Sequence, residues 1–103
     1  MGQFAPSNSD TAQYVVPTTG STVVCANSTT LLLLNPASVL ATLTVTLPPN
    51  PVDGQRFVMA AGALITLLTI NGGTVKGLIT TLSLNGYARF AYSVDANAWF
   101  RTG

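Results

Sequence analysis

Residues 39–47, Val-Leu-Ala-Thr-Leu-Thr-Val-Thr-Leu, decide the fold class of this chain. The odd-numbered positions are all apolar, and positions 42, 44 and 46 are all threonine. An alternation with a period of two predicts a β-strand with one buried and one hydrated face. Threonine gives the hydrated face β-branched side chains without charge. The side chains predicted to be buried are Val39, Ala41, Leu43, Val45 and Leu47.

The next segment, LPPNPVDGQRF at 47–57, predicts a rigid turn between two strands. Pro48 and Pro49 cannot donate to a strand ladder, so they end the first strand. Asp53-Gly54 supplies residues that tolerate tight turn geometry, and a second strand is predicted from Arg56.

The rest of the chain also predicts short strands separated by turn residues. The run ALITLLTI at 63–70 is nearly continuous apolar sequence and predicts a strand buried on both faces. The last two strands, YARFAYSV at 87–94 and AWFRT at 98–102, predict a hairpin in which Asn97 adopts a left-handed conformation. No window has a convincing helical period.

Eight or more short strands, spaced about ten residues apart, indicate an all-β domain. We predict a small antiparallel β-sandwich or barrel, jelly-roll-like in its arrangement. Residues 13–103 form the predicted domain, and residues 1–12 are predicted to be a flexible N-terminal arm.

The composition argues against partners that bind through charge. Only 7% of the 103 residues are charged, against about 25% in typical soluble domains, and the net charge is +1. Such a surface favours self-association. Four scattered cations form no basic stripe, so we predict no nucleic-acid partner. We also predict no membrane partner, because Asn35-Pro36, several threonines and Pro48-Pro49 interrupt the longest apolar stretch.

The sequence offers little to build a catalytic or metal site. The chain contains neither His nor Glu, and Asp53 and Asp95 lie in predicted turns. Cys25 is the only cysteine and is interpreted as a small buried apolar residue. We therefore predict no enzyme activity, no catalytic residue, no metal and no cofactor.

Aromatic side chains are the remaining candidates for function. They concentrate near the C-terminus, where core or subunit-interface packing is favoured over a ligand-stacking patch. The predicted interface residues are Phe4, Tyr87, Tyr92, Trp99 and Phe100.

Four segments in this order, LPPNPVDGQRF, LITLLTINGGTVKG, TTLSLNGYARFAYS and AWFRTG, resemble a small β-rich module of tailed-phage virion proteins. The module occurs in fibre tips, head fibres and capsid decoration (cement) proteins, and the resemblance covers about residues 47–103. It implies a structural role in the virion, commonly as a trimer, and it brings no catalytic residues.

The leading hypothesis is a capsid decoration protein on the virion exterior, assembled in the host cytoplasm and bound to the major coat protein. A chain of 103 residues that begins with Met fits this role better than a whole tail fibre. The alternative is a fibre-tip or head-fibre module that binds a host receptor or glycan through the C-terminal aromatic residues. A membrane-inserting β oligomer and a soluble binding module of unknown partner are further hypotheses.

Overall fold

The computed structural model describes residues 12–27 and 29–103, and this part of the chain is all-β. The predicted N-terminal arm, including Phe4, lies outside the described residues except for Ala12, which begins the first strand. The strands are β1 (Ala12–Val15), β2 (Thr22–Val24), β3 (Leu31–Leu34), β4 (Leu40–Thr46), β5 (Arg56–Ala61), β6 (Ile65–Asn71), β7 (Val75–Lys76), β8 (Tyr87–Ser93) and β9 (Ala98–Arg101).

The first six strands wind as a short β-solenoid. β1, β3 and β5 are parallel neighbours in one sheet, and β2, β4 and β6 are parallel neighbours in a second sheet. The chain therefore alternates between the sheets, and each coil contributes one strand to each of them. Parallel neighbours need a crossover connection, which a strand of the opposite sheet provides here.

The C-terminal strands extend the first sheet to six strands, in the order β1-β3-β5-β8-β9-β7. β8 is antiparallel to both β5 and β9, and β7 is parallel to β9. Beside β6, Leu82 forms an antiparallel bridge to Ile65, so the chain also lines that edge of the three-stranded sheet.

The all-β prediction is confirmed, but the prediction of an antiparallel, jelly-roll-like arrangement is wrong. Five of the seven strand pairings among the described residues are parallel. Turn residues indicate where a strand ends but not where the next one goes. In the first six strands the chain crosses to the opposite sheet after each turn, instead of folding back beside the previous strand.

The core lies between the two sheets and is built on three aromatic rings. Phe57 is 6.4 Å from Phe90 and 6.1 Å from Trp99, measured between ring centroids. All three side chains are at most 1% exposed. Leu32 and Val45 pack in the same cluster and have no measurable exposure.

The buried face of β4 begins one residue away from where the sequence predicts it. Leu40 is 3% exposed, whereas Val39 is 58% exposed and Ala41 is also exposed. From Leu43 onward the predicted alternation holds. Leu40 pairs with Ile65 and Leu43 with Leu68, so β4 and β6 share an irregularity that places two outward residues between successive buried ones.

The prediction that residues 63–70 are buried on both faces is wrong. Thr66 and Thr69 are exposed, and Leu67 is 49% exposed. The three-stranded sheet packs on the other sheet with one face only, so its second face remains in contact with solvent.

The two predicted turns are confirmed, and they contact each other. Gly54 has a φ of 80° and Asn97 a φ of 52°, both in the left-handed region. A carboxylate oxygen of Asp53 accepts a hydrogen bond from the backbone N–H of Val94 at 2.9 Å. The rigid segment at 47–57 thus holds the turn of the C-terminal hairpin in place.

Candidate interaction surface

The outer face of the three-stranded sheet is covered largely by hydroxyl groups. Thr22, Thr44 and Thr69 form one row across the three strands. In the next row, the Thr46 hydroxyl lies 2.7 Å from the Oδ1 atom of Asn71. These polar groups keep this face compatible with water, although Val24 and Leu67 interrupt the pattern.

The outer face of the six-stranded sheet is different, and we call it the apolar face. Pairing places Leu31 beside Val58, Leu33 beside Ala60, and Ala60 beside Tyr87. Its apolar side chains are Tyr14, Leu31, Leu33, Val58, Ala60, Tyr87, Ala91 and Phe100. Its cationic side chains are Arg56, Lys76 and Arg89.

Three large rings on the apolar face are strongly exposed. Tyr14 is 61%, Tyr87 59% and Phe100 40% exposed. The Tyr14 hydroxyl accepts a hydrogen bond from the side-chain amide of Asn35 at 2.9 Å. The guanidinium carbon of Arg89 lies 5.6 Å from the centre of the Tyr87 ring, within the range of a cation–π contact. Both tyrosine side chains are therefore held in place while their surfaces stay open.

Two depressions mark the apolar face. One has a volume of about 360 Å³ and is lined by Leu33, Ala60 and Tyr87, among other residues. The other has a volume of about 510 Å³ and includes Arg56 and Arg89 in its lining. The apolar face is therefore uneven, and the side chains of a partner could fill its depressions.

The structure divides the predicted interface residues between surface and core. Tyr87 and Phe100 lie on the apolar face. Trp99 is 1% exposed and lies in the core, where a partner cannot reach it. Tyr92 is half-buried, with its ring 5.3 Å from that of Trp99 and its hydroxyl 2.6 Å from Asn97 Oδ1.

Sequence reasoning missed Tyr14, Leu31, Leu33 and Val58 as members of the surface. The run of four leucines at 31–34 carries no alternation, so it does not indicate which two side chains point outward. Their position becomes clear only from the pairing of β3 with β1 and β5.

A polar cleft, separate from the two depressions on the apolar face, lies near the C-terminal hairpin. Its volume is about 230 Å³, and its lining includes Asn50, Thr74, Tyr92, Asn97 and Trp99. Amide and hydroxyl groups beside an aromatic ring are suited to hydrogen bonding with a small polar ligand.

Among the described residues, side chains that could bind a metal ion do not cluster at the apolar face or at the polar cleft. Within residues 12–27 and 29–103, no three His, Cys, Asp or Glu side chains form a group that could hold a metal ion. The same residues form no helix with the length and hydrophobicity of a membrane-spanning segment.

The thiol of Cys25 is buried, and burial raises its pKa from 9.0 to about 12. The unfolded chain therefore releases this proton at a lower pH than the native protein does. The buried, neutral thiol makes its full contribution to the free energy of unfolding below pH 9. This contribution is lost as the pH rises from about 9 towards 12, by up to about 1.4 kcal/mol per pH unit.

We expect the free energy of unfolding of Cys25→Ala to fall less steeply over this pH range than that of the unmodified protein, as measured by urea titrations at pH 8 to 11. Every other residue is common to both proteins, so the difference between them reports Cys25 alone. Rapid labelling of native Cys25 by a thiol reagent at pH 8 would contradict its burial, because the reactive form is the thiolate.

No family model, curated protein or solved structure matches this chain.

Proposed function

We propose that this chain is a structural protein of a phage virion, a decoration protein that binds the major coat protein on the capsid exterior and stabilises the shell. The apolar face supports the assembled, structural part of this proposal, because large contiguous exposed apolar patches mark sites of protein association. The resemblance of residues 47–103 to virion modules supplies the phage setting. The predicted trimer is part of the same proposal.

The stabilising effect follows from mass action. A protein that binds only the assembled shell lowers the free energy of that state, by about 2.7 kcal/mol per site when its concentration is 100 times the dissociation constant. A standard interface buries roughly 800 Å² on each partner. A charge-poor surface suits such packing, because few ions lose their hydration on binding.

The test compares phage capsids that lack this chain with the same capsids after purified protein is added back. We expect the added protein to co-sediment with the capsids and to raise the temperature at which they release DNA. The control receives protein that has been unfolded by heat. Capsids that neither bind the protein nor gain resistance to heat and low salt would contradict the decoration role.

The polar cleft favours a second candidate, a fibre-tip or head-fibre module that binds a host glycan. Tyr92, Asn97 and Thr74 would supply its hydrogen bonds. A glycan array should then detect binding that both Tyr92→Phe and Thr74→Ala abolish. Both variants remove polar groups without emptying the core, so loss of binding can be separated from loss of folding. Absence of glycan binding by the unmodified protein favours the decoration role.

A further inference from the structure

We infer that the apolar face joins copies of this chain into a closed ring, in which the face of one copy packs against a different, acidic surface of the next. This inference deepens the proposed function, since it rests on the premise that the chain works as part of an assembly. It assigns a named surface to the contact between copies and leaves other surfaces for the coat protein.

The size of the apolar face fits a contact between proteins. The six strands hold two to seven residues each, 27 in all, and at about 3.3 Å per residue and 4.8 Å between strands they cover roughly 430 Å² in projection. A single copy in water rarely leaves more than a few hundred square ångströms of contiguous apolar surface uncovered. This is about half of the roughly 800 Å² that each partner buries in a standard interface, so a standard contact would also include residues around the face.

The charges on the apolar face favour a head-to-tail contact between copies over a two-fold contact. Arg56, Arg89 and Lys76 lie on it, and neither of the acidic side chains among the described residues, Asp53 or Asp95, belongs to its rows. A two-fold axis through the face would pack the face against itself and bring cations towards cations, which is costly at a desolvated contact. In a head-to-tail contact the face instead meets a different surface of the next copy. The copies form a closed ring when a whole number of these rotations makes a full turn.

An acidic surface complementary to these cations is present on the same chain. Asp53 and Asp95 lie in two turns that touch, because the Val94 N–H donates to Asp53. Asp95 is exposed, and among the described residues these are the only carboxylate side chains. We call this pair of turns the acidic corner. The acidic corner lies beyond the Arg56 end of the β5–β8 pair, so each copy carries a cationic apolar face and, at one end of its sheet, an acidic corner that the face of a neighbouring copy can contact.

The experiment measures mass in solution by sedimentation equilibrium of the full chain over a range of concentrations. We expect a closed oligomer larger than a dimer. Arg89→Asp should raise the dissociation constant by roughly thirtyfold or more, as expected for an unpaired charge at a buried contact. Combining Arg89→Asp with Asp95→Arg should restore much of the lost association, because the charges are exchanged across the contact.

Arg101→Asp is the matched control, since it makes the same change of charge at an exposed position whose register partner, Phe90, points into the core. It should leave the association nearly unchanged. Thermal unfolding at dilute concentration checks that every variant folds. A monomer at all concentrations, a two-fold dimer, equal weakening by Arg101→Asp, or failure of the exchanged pair to recover would each overturn the ring.

These outcomes are independent of the capsid experiment, because no coat protein is present. A ring that does not bind capsids would reject the decoration role and leave the ring intact. A monomer that still protects capsids would reject the ring alone.

Discussion

Trp99→Ala is expected to lower the free energy of unfolding by about 3–5 kcal/mol, the range measured for large-to-small substitutions in protein cores. Trp99 is 1% exposed, and its ring contacts both Phe57 and Tyr92 edge-on, at centroid distances of 6.1 and 5.3 Å. Alanine leaves a cavity that both sheets border. The loss is a large part of the total stability of a domain of this size.

Phe100→Ala is the matched control, because Phe100 follows Trp99 in the same strand but is 40% exposed. We expect it to cost less than about 1 kcal/mol when the protein is dilute enough to be monomeric. Urea unfolding followed by circular dichroism measures both variants. Equal losses from the two substitutions would mean that β9 does not present Trp99 to the core.

The second large effect is expected at the start of β4, where sequence and structure disagree. Leu40→Asp should prevent folding or cost more than about 4 kcal/mol, because it places an unpaired carboxylate inside the core. Val39→Asp should change stability by no more than about 0.5 kcal/mol, because Val39 is 58% exposed.

The strict alternation of residues 39–47 predicts the opposite result, with Val39 inside and Leu40 outside. The pair of variants therefore decides between the two descriptions of this strand. Soluble yield and melting temperature are sufficient measurements, because the expected difference is large. A folded Leu40→Asp variant together with an unfolded Val39→Asp variant would show that β4 pairs with β6 in another register.

The parts of the fold that depend on neighbouring residues were predictable from the sequence. Pro48 and Pro49 follow β4, and the turn containing Asn97 joins β8 to β9. In these cases the backbone restrictions of proline and the left-handed conformation of Asn act within a few residues. For the same reason the C-terminal hairpin, in which the paired strands are adjacent in sequence, was predicted correctly.

Pairing between distant strands was not predictable. Leu31 pairs with Ala12 on one side and Val58 on the other, so its partners lie many residues away in both directions. No residue between them encodes the direction of the pairing. The shift between Val39 and Leu40 has the same origin, because it depends on the contact of β4 with β6.

The candidate surface was only partly predictable for a related reason. Trp99 and Phe100 are both large rings at adjacent positions, and either one could face the core. The pairing of Trp99 with Tyr92 and of Phe100 with Ala91 decides which does. The sequence therefore indicates that aromatic residues matter at this end of the chain but not which of them a partner can reach.

The strand order also determines how the molecule responds to mechanical tension. β1 and β9 are separated by four inter-strand spacings in the six-stranded sheet, a distance of about 19 Å measured across the strands. A pull between these strands, directed across the sheet, loads its hydrogen bonds one pair at a time, as in opening a zipper. Such peeling needs less force than sliding the strands past each other, so a tether fixed at both strands would yield gradually under load.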